Sequence, residues 1–431
     1  MSVIVRISIA IWCTTAVVHA FMAVPRPGAL IAQRQSSLGS LFFSLPSSIE
    51  EKSVLAEEDS QNQNKVQRFY ETYQWSQSPS STSTSPTYNI NYRVEGNPTD
   101  PPLLLIHGFG ANVNQFRFNF PLLTQAGYRV YAIDLLGFGA SDKPKEEEYC
   151  IELWLDLLCD FIEDMERERK TMSKNKSTAS SSESTNDNDP QWVVAGNSIG
   201  GLCALGVTAR LQQTLVRGCT LFNAAGGMTS FRYEELPWIL RPFLLFLQKV
   251  ILSPDGYGGK FFENFKTRQN VESILLNQGV YRDTTNVNEE LMEILLGPSD
   301  DDGAKEVFLK VFGGPAGPTP ESFLEEIYKP VLALWGSADP WTPVDRGLHP
   351  GKNFGKYYNK KWRRSSKSES DEMNEFLSSS ANMDQPSFQL HILEGAGHCP
   401  HDEVPDAIHE VMLPWLRNLD GDNPKEEERG E

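Results

Sequence analysis

The stretch QWVVAGNSIGGLCALGVTARL, residues 191–211, decides the fold. It opens with a short apolar run, which is typical of a strand buried on both faces of a parallel sheet. Its second half is interpreted as a helix, and the pentapeptide G-N-S-I-G joins the two. A strand, a tight turn and a helix in this order predict that Ser198 projects from the carboxyl edge of a sheet as a nucleophile.

Two glycines flank this serine, and we expect a steric reason for each. A side chain at Gly196 or Gly200 would collide with the neighbouring strand or helix. The pattern G-x-S-x-G by itself is weak, because this composition yields on the order of 0.2 matches by chance. The strand–turn–helix context therefore carries the prediction.

Strand and helix patterns alternate on both sides of this stretch. Three further segments are apolar runs that end in turn residues: 101–110, 128–142 and 330–340. Residues 152–165, ELWLDLLCDFIEDM, place apolar side chains at helical spacing, and residues 388–398 return to the strand pattern. The alternation predicts an α/β fold, a mostly parallel sheet with helices on both faces.

Composition divides the chain into several regions. We predict an α/β core in 88–226 and 329–419, a helical lid in 227–328, disordered Ser-rich insertions at 170–190 and 364–385, a Ser-rich linker at 53–87 and an acidic tail at 420–431.

The amino terminus has the pattern of a targeting sequence. Arg6 precedes a short apolar run, and small residues at positions 18 and 20 predict a signal peptide in 1–20. Residues 21–52 contain arginines and many serines and no acid before Glu50, which is the composition of a transit peptide. The two parts together favour delivery to a plastid, and the alternative is the secretory pathway.

A serine hydroxyl needs a base, and two later strand ends supply candidates. Asp339 follows one strand and His398 follows the next, in the order nucleophile, acid, histidine. We predict His398 as the base and Asp339 as the acid that orients it. The alternative acid position holds Asn223, which carries no charge. His401 is expected to be a surface histidine or one that supports the catalytic residues without reacting itself.

The loop after the first buried strand, His107-Gly108-Phe109-Gly110, provides the remaining element. The backbone N–H groups of Phe109 and Ile199 are predicted to form an oxyanion hole. His107 and Gly108 are expected to support this loop, with His107 ordering it through hydrogen bonds.

The same sequence argues against other classes of function. A metal site built from His398, His401 and His409 requires a helix that Pro400 makes improbable, and no C-x-x-C pair suggests zinc. We therefore predict no metal and no cofactor. The net charge of −18 would repel nucleic acid.

These elements together resemble the α/β-hydrolase fold. GNSIGG, ADPW and GAGHCPHDEVP are similar to segments of the plastid enzymes that remove phytol from chlorophyll pigments, the pheophytinases and chlorophyll dephytylases. The resemblance extends to HGFGANVNQFRFN and to the lid segment VESILLNQGVYRDTTNVNEELMEIL, and it is closest to chlorophyll dephytylase.

The resemblance implies hydrolysis of the phytyl ester of chlorophyll or pheophytin through an acyl-enzyme on Ser198. It implies a phytylated tetrapyrrole as substrate and a peripheral contact with the thylakoid membrane, for which the apolar segment 231–252 is suited. Two alternatives stay open. One is another hydrolase, acting on carbon–carbon bonds or on lipid esters, and the other is a catalytically idle fold that binds pigment.

Overall fold

The computed structural model describes residues 70–77, 86–176, 191–228, 257–361 and 387–420. Eight strands form one sheet: β1 Tyr70–Ser76, β2 Thr87–Glu95, β3 Pro102–Ile106, β4 Arg129–Ile133, β5 Trp192–Asn197, β6 Val216–Phe222, β7 Val331–Gly336 and β8 Phe388–Leu393.

The strands follow one another across the sheet in the order β1-β2-β4-β3-β5-β6-β7-β8. β1 and β2 pair antiparallel, as do β2 and β4, and all the other pairs are parallel. The predicted α/β class with a mostly parallel sheet is confirmed. β3, β5, β6 and β7 are buried at every position, which explains their unbroken apolar sequences.

Ten helices are present in the described part of the chain: α1 Asn119–Gln125, α2 Ile151–Lys176, α3 Ile199–Leu211, α4 Tyr257–Phe265, α5 Arg268–Asn277, α6 Glu289–Leu296, α7 Ala304–Gly313, α8 Pro320–Leu324, α9 Pro400–Glu403 and α10 Pro405–Asp420. Short 3-10 turns lie at Val113–Phe116, Gly297–Asp300 and Gly351–Lys356.

Two apolar clusters cover the two faces of the sheet. One packs α2 and α3 against one face, with Trp154 and Leu205 completely buried. The other packs α1 and α10 against the opposite face, with Phe120 and Leu416 completely buried. The layered arrangement leaves the carboxyl ends of the parallel strands as the place where loops meet.

The predicted linker at 53–87 is wrong from Tyr70 onward, because β1 lies inside it and the core begins there instead of at residue 88. β1 pairs with β2 along its whole length. Its sequence, YETYQWS, alternates polar residues with aromatic ones, and Trp75 is the buried member. Most of its side chains are exposed, so the strand has the polar composition of a linker.

The first predicted insertion also begins later than expected. α2 continues to Lys176, past residue 170, and residues 177–190 lie outside the described ones. The second insertion, 364–385, the tail from residue 421 and the targeting segments before Tyr70 lie outside the described residues as well.

The predicted lid is helical where the structure describes it. Helices α4 to α8 occupy most of 257–324 and build two small apolar clusters of their own. The apolar segment 231–252, which we expected to face a hydrocarbon or a membrane, is outside the described residues. None of the described helices combines the length and the apolar character that crossing a bilayer needs.

Candidate active site

Ser198 lies in the turn between β5 and α3, with backbone angles φ 55° and ψ −119°. Few residues other than glycine adopt a positive φ, so the turn holds this serine in a strained conformation. A Cβ atom at Gly196 would lie 2.1 Å from the carbonyl oxygen of Gly200, and one at Gly200 would lie 2.2 Å from that of Ile106. Both glycines are therefore needed for β5, α3 and β3 to meet this closely.

The acid and the base of the predicted triad are in contact. His398 Nδ1 lies 2.8 Å from Asp339 Oδ2, and both side chains are buried. Asp339 also accepts hydrogen bonds from the backbone N–H of Trp341 and from the hydroxyl of Thr342. Burial alone would raise the pKa of Asp339, but His398 and the hydrogen bonds from Thr342 and Asn223 hold it below its usual range.

The loop that carries His398 is fixed on both sides. The backbone N–H of His398 donates to the carbonyl oxygen of Val280, at 2.8 Å. The side chain of Asn197, the residue before the predicted nucleophile, donates to the carbonyl oxygen of His398 at 3.0 Å. The imidazole also packs against the indole ring of Trp341, with 5.4 Å between ring centroids.

Ser198 and His398 line the same cavity. The hydrogen bonds among the described residues include none between these two side chains. In a substrate-free site such a contact is often long and tightens when the substrate binds. The geometry therefore brings all three predicted residues to one place, with the acid–base pair already formed.

One predicted oxyanion donor, Phe109, lines the same cavity and lies in the loop after β3. The other, Ile199, directly follows Ser198 as the first residue of α3. Within the described part of the chain, neither backbone N–H donates to a protein acceptor. A Cβ atom at Gly108 would lie 3.2 Å from Cβ of Ser198, so the loop approaches the serine closely.

His107 precedes Gly108 in this loop, and its ring is completely buried and held by two hydrogen bonds. Its Nδ1 lies 2.7 Å from the carbonyl oxygen of Gly108, and the backbone N–H of Leu135 donates to its Nε2 at 3.0 Å. The second bond fixes Nε2 as an acceptor, so Nδ1 carries the proton and the ring is neutral. Burial lowers the pKa of His107, in keeping with that state.

His401 is not a surface histidine, which corrects that part of the expectation. It is completely buried, with its ring between those of Phe116 and Phe222. Neither ring nitrogen has a hydrogen-bond partner among the described residues. Burial, followed by the nearby His398, lowers the pKa of His401 to about 3, so the ring is neutral.

The residues of the rejected metal site do not share a helix. Pro400–Glu403 form one helical turn, α9, which Pro400 can begin because its missing N–H would have no partner there, and His398 lies outside this turn. The described residues contain no group of three or more His, Cys, Asp or Glu side chains placed to hold a metal ion.

The cavity in front of Ser198 is lined by residues of both the core and the lid. The open space, including its mouth, is about 1150 Å³. Four phenylalanines form one wall: Phe109, Phe262, Phe265 and Phe308. The ring of Phe308 lies 5.2 Å from that of Phe109, which joins this aromatic wall to the oxyanion loop. The wall suits an apolar group bound next to the reacting centre.

The roles of two residues of the site were not predicted from the sequence. Asn223 is an uncharged residue at the alternative acid position, yet its side chain donates to Asp339 Oδ2 at 2.6 Å. Glu403 has no role in the sequence prediction, yet it is buried and accepts three backbone hydrogen bonds. No local sequence pattern signals either role, because the partners of both side chains lie far along the chain.

A family model described as the alpha/beta hydrolase family matches residues 103–411. The chain therefore belongs to the α/β-hydrolase family. It is similar to chloroplastic pheophytinase of Arabidopsis thaliana, at 22% identity over 393 residues, which are 78% of this chain and 65% of that protein. The match thus spans slightly less than two thirds of the relative's length.

Two further similarities are to proteins named as hydrolases of dienoic acids. A 2-hydroxy-6-oxo-6-(2'-aminophenyl)hexa-2,4-dienoic acid hydrolase of Metapseudomonas resinovorans is 34% identical over 163 residues, 36% of this chain and 48% of that protein. The solved structure of the 2-hydroxy-6-oxo-6-phenylhexa-2,4-dienoate hydrolase from Rhodococcus sp. strain RHA1 has a TM-score of 0.51 at 18% identity, covering 81% of this chain and 99% of that one. At this identity the structural similarity shows the fold alone.

Proposed function

We propose that the protein is a serine ester hydrolase that cleaves the phytyl ester of chlorophyll or pheophytin. The observation that carries the chemistry is the buried Asp339–His398 pair, which shares a cavity with a strained Ser198. The substrate class rests on the similarity to a chloroplastic pheophytinase and on the aromatic wall beside the reacting centre.

The proposed reaction begins with attack of Ser198 Oγ on the ester carbonyl carbon. His398 takes the hydroxyl proton and then gives it to the alcohol oxygen as the carbon–oxygen bond breaks. The N–H groups of Phe109 and Ile199 stabilise the negative oxygen of the tetrahedral intermediate, and one such donor is typically worth ~10²–10³ in rate.

The acyl-enzyme then reacts with water, which His398 deprotonates. His398 returns this proton to Ser198 Oγ as the acyl–oxygen bond breaks, and the tetrapyrrole acid leaves. Asp339 stays ionised throughout, since its pKa is held low, and it stabilises the imidazolium form of His398. The neutral, buried His107 takes no proton in this scheme and keeps the oxyanion loop in place.

Burial of the hydrocarbon would supply the binding free energy. A phytyl chain has about twenty carbons, and ~0.8 kcal/mol per buried CH₂ gives a gross gain above ~10 kcal/mol before ordering costs. The same apolar substrate partitions into membranes, so we propose a peripheral contact with the thylakoid. The targeting pattern and the chloroplastic relative support a plastid location.

The test uses the full chain and its Ser198→Ala variant, each supplied with chlorophyll a, pheophytin a and a short p-nitrophenyl ester. We expect dephytylated pigment by chromatography from the wild type and a loss of ~10⁶-fold in the variant. Ester cleavage without pigment cleavage would keep the triad and remove the pigment from the proposal. A wild type that neither cleaves the esters nor reacts with a fluorophosphonate would leave an idle, pigment-binding fold.

A second candidate is hydrolysis of a carbon–carbon bond, favoured by the 34% identity over 163 residues to a dienoic acid hydrolase. The same nucleophile and base would serve. Turnover of a ring-opened dienoic keto-acid, followed by loss of its absorbance, with no cleavage of pigment, would select this candidate.

A further inference from the structure

A glutamate that follows the loop of His398 connects this loop to the lid. Glu403 lies at the end of α9, five residues after His398, and is 3% exposed. Its Oε2 accepts the backbone N–H of Gly397 at 2.8 Å. Its Oε1 accepts the backbone N–H groups of Arg282 and Asp283, each at 2.9 Å. One carboxylate thus bonds both to the residue before His398 and to the lid segment after α5.

The same lid segment contacts the histidine loop directly. The carbonyl oxygen of Val280 accepts the backbone N–H of His398 at 2.8 Å. A Cβ atom at Gly397 would lie 2.3 Å from that oxygen and 2.9 Å from Glu403 Oε2, so only glycine allows this approach. The backbone N–H of Gly397 therefore donates to the Glu403 carboxylate, and that of His398 donates to a carbonyl oxygen of the lid.

The carbonyl oxygens of the same two residues accept hydrogen bonds from the core. The carbonyl oxygen of Gly397 accepts from Asn223 at 3.3 Å, and that of His398 accepts from Asn197 at 3.0 Å. The core holds the carbonyl side of the loop, while Glu403 and Val280 hold its N–H side. The backbone that carries His398 is therefore hydrogen-bonded to the lid on one side and to the core on the other.

We propose that Glu403 is a positioning residue for His398 that couples the base to the lid. This inference rests on the proposed role of His398 as general base. When a substrate displaces the segment 280–283, the carboxylate carries that movement to the Gly397 amide. The lid then sets how well the imidazole is aligned for proton transfer, in addition to covering the substrate.

Glu403→Gln tests this role selectively. A glutamine oxygen can still accept from Arg282 and Asp283, whereas its NH₂ group faces the N–H of Gly397, donor against donor. We expect kcat for a short p-nitrophenyl ester to fall about tenfold to hundredfold, with KM nearly unchanged, since a small misplacement of a catalytic group has effects of this size. Glu403→Asp keeps both acceptor oxygens and should recover part of the rate.

Two readouts separate positioning from a merely structural role. The pH dependence of kcat/KM should shift in Glu403→Gln, and the low-field proton NMR resonance of the His398–Asp339 hydrogen bond should move or broaden. The control is Glu410→Gln on α10, which replaces an exposed acid seven residues away and should behave as the wild type. Wild-type kcat, pH profile and resonance in Glu403→Gln would overturn the proposal.

Hydrogen exchange in the unmodified full chain provides a test that needs no variant. The amides of Gly397, Arg282 and Asp283 share one acceptor group, so they should open together and exchange with similar protection. A protected Gly397 amide beside freely exchanging lid amides would refute the coupling. A wild type that lacks Ser198-dependent activity would instead refute the proposed function, while exchange and NMR would still report on the connection.

Discussion

Asn223 Nδ2 lies 2.6 Å from Asp339 Oδ2, so the two strand ends that could each carry the acid of this fold are hydrogen-bonded to one another. Asn223 follows β6 with φ 47°, and Asp339 follows β7. The uncharged Asn223 thereby stabilises the charged Asp339. A second carboxylate there would face the first and raise its pKa.

Asn223→Ala should weaken the acid–base pair without removing it. Asp339 would lose one donor to its charged carboxylate, which costs about 1.5–3 kcal/mol in free energy of unfolding. The pKa of Asp339 would rise from its lowered position. A depressed carboxyl pKa contributes stability that is complete above the unfolded value and is lost as the pH falls toward the folded value. The deficit of the variant should therefore be largest at neutral pH and shrink in acid.

Urea unfolding between pH 7 and pH 3 measures this effect, together with kcat for a short ester. Asn89→Ala is the control, because it removes an exposed amide that bonds to Asp142. Equal unfolding free energies for Asn223→Ala and the wild type at every pH would contradict the assignment of Asn223 as a partner of the acid.

The buried His401 predicts an acid-sensitive core. In the fold its pKa is about 3, whereas the ring titrates near 6.5 when exposed. Between these values the unfolded chain binds one more proton, so stability falls by at most about 1.4 kcal/mol per pH unit as the pH drops. Burial lowers the pKa of His107 as well, and its contribution has the same sign.

His401→Leu should flatten this dependence. The variant removes two buried nitrogens without partners among the described residues, so we expect equal or higher stability at pH 7 and a smaller loss at pH 5. Unfolding free energies at pH 7, 6 and 5 provide the comparison. A variant that is less stable at pH 7 and equally acid-sensitive would show that the ring has a bound partner such as water.

Arg117 forms a buried ion pair within the core and also donates hydrogen bonds to the lid. Arg117, after the 3-10 turn that follows β3, donates to both oxygens of Asp402, at 3.0 and 3.3 Å, and to Asn288 and the carbonyl oxygen of Asn286 in the lid. Arg117→Met leaves the carboxylate of Asp402 buried and unpaired. We expect a loss of about 3–5 kcal/mol in free energy of unfolding.

Thermal or urea unfolding tests this prediction, with the exposed pair Arg346–Asp345 as reference. Arg346→Met should change stability by no more than about 1 kcal/mol. Adding Asp402→Leu to Arg117→Met should recover part of the loss, because the unpaired charge is removed. An Arg117→Met protein as stable as Arg346→Met would mean that the buried pair contributes no more to stability than the exposed one.

The aromatic wall predicts a chain-length effect on specificity. Phe308 lines the cavity and packs against Phe265, with 4.7 Å between ring centroids. Phe308→Leu removes aromatic surface from the wall, and we expect kcat/KM for long-chain esters to fall about threefold to tenfold, equivalent to roughly 1 kcal/mol of lost burial. Short esters bury less hydrocarbon against the wall, so their kcat/KM should change less.

Phe312→Leu is the matched control, since Phe312 stacks on Phe308 from the same helix and is not among the residues that line the cavity. A series of p-nitrophenyl esters of increasing chain length measures both variants. The same fall for short and long esters in Phe308→Leu would show a general disturbance of the site instead of a contact with the chain.

The sequence predicted what depends on short-range patterns. The unbroken apolar strands, the turn around Ser198 and the order of Asp339 and His398 all have local signatures. β1 was missed because an edge strand with exposed side chains has no apolar run. Its place in the sheet depends on pairing with β2, which lies across a Ser-rich segment.

The functions of Asn223 and Glu403 could not be predicted for a related reason. Each side chain bonds to residues far along the chain, Asn223 to Asp339 and Glu403 to Arg282 and Asp283. No pattern within a window of residues encodes such pairs. His401 shows the converse, since polar residues around it suggested exposure while Phe116 and Phe222 bury it.

The edge strand β1 sets a limit on how far the protein can be shortened from its amino terminus. β1 covers β2 along seven residue pairs, and the indole of Trp75 donates to Asp160 on α2 at 2.8 Å. Proteolysis after Ser76 would detach this strand and leave β2 with a row of unpaired backbone groups. A nicked preparation would then self-associate through that edge, so a recombinant protein has to start ahead of Tyr70 to remain dispersed in solution.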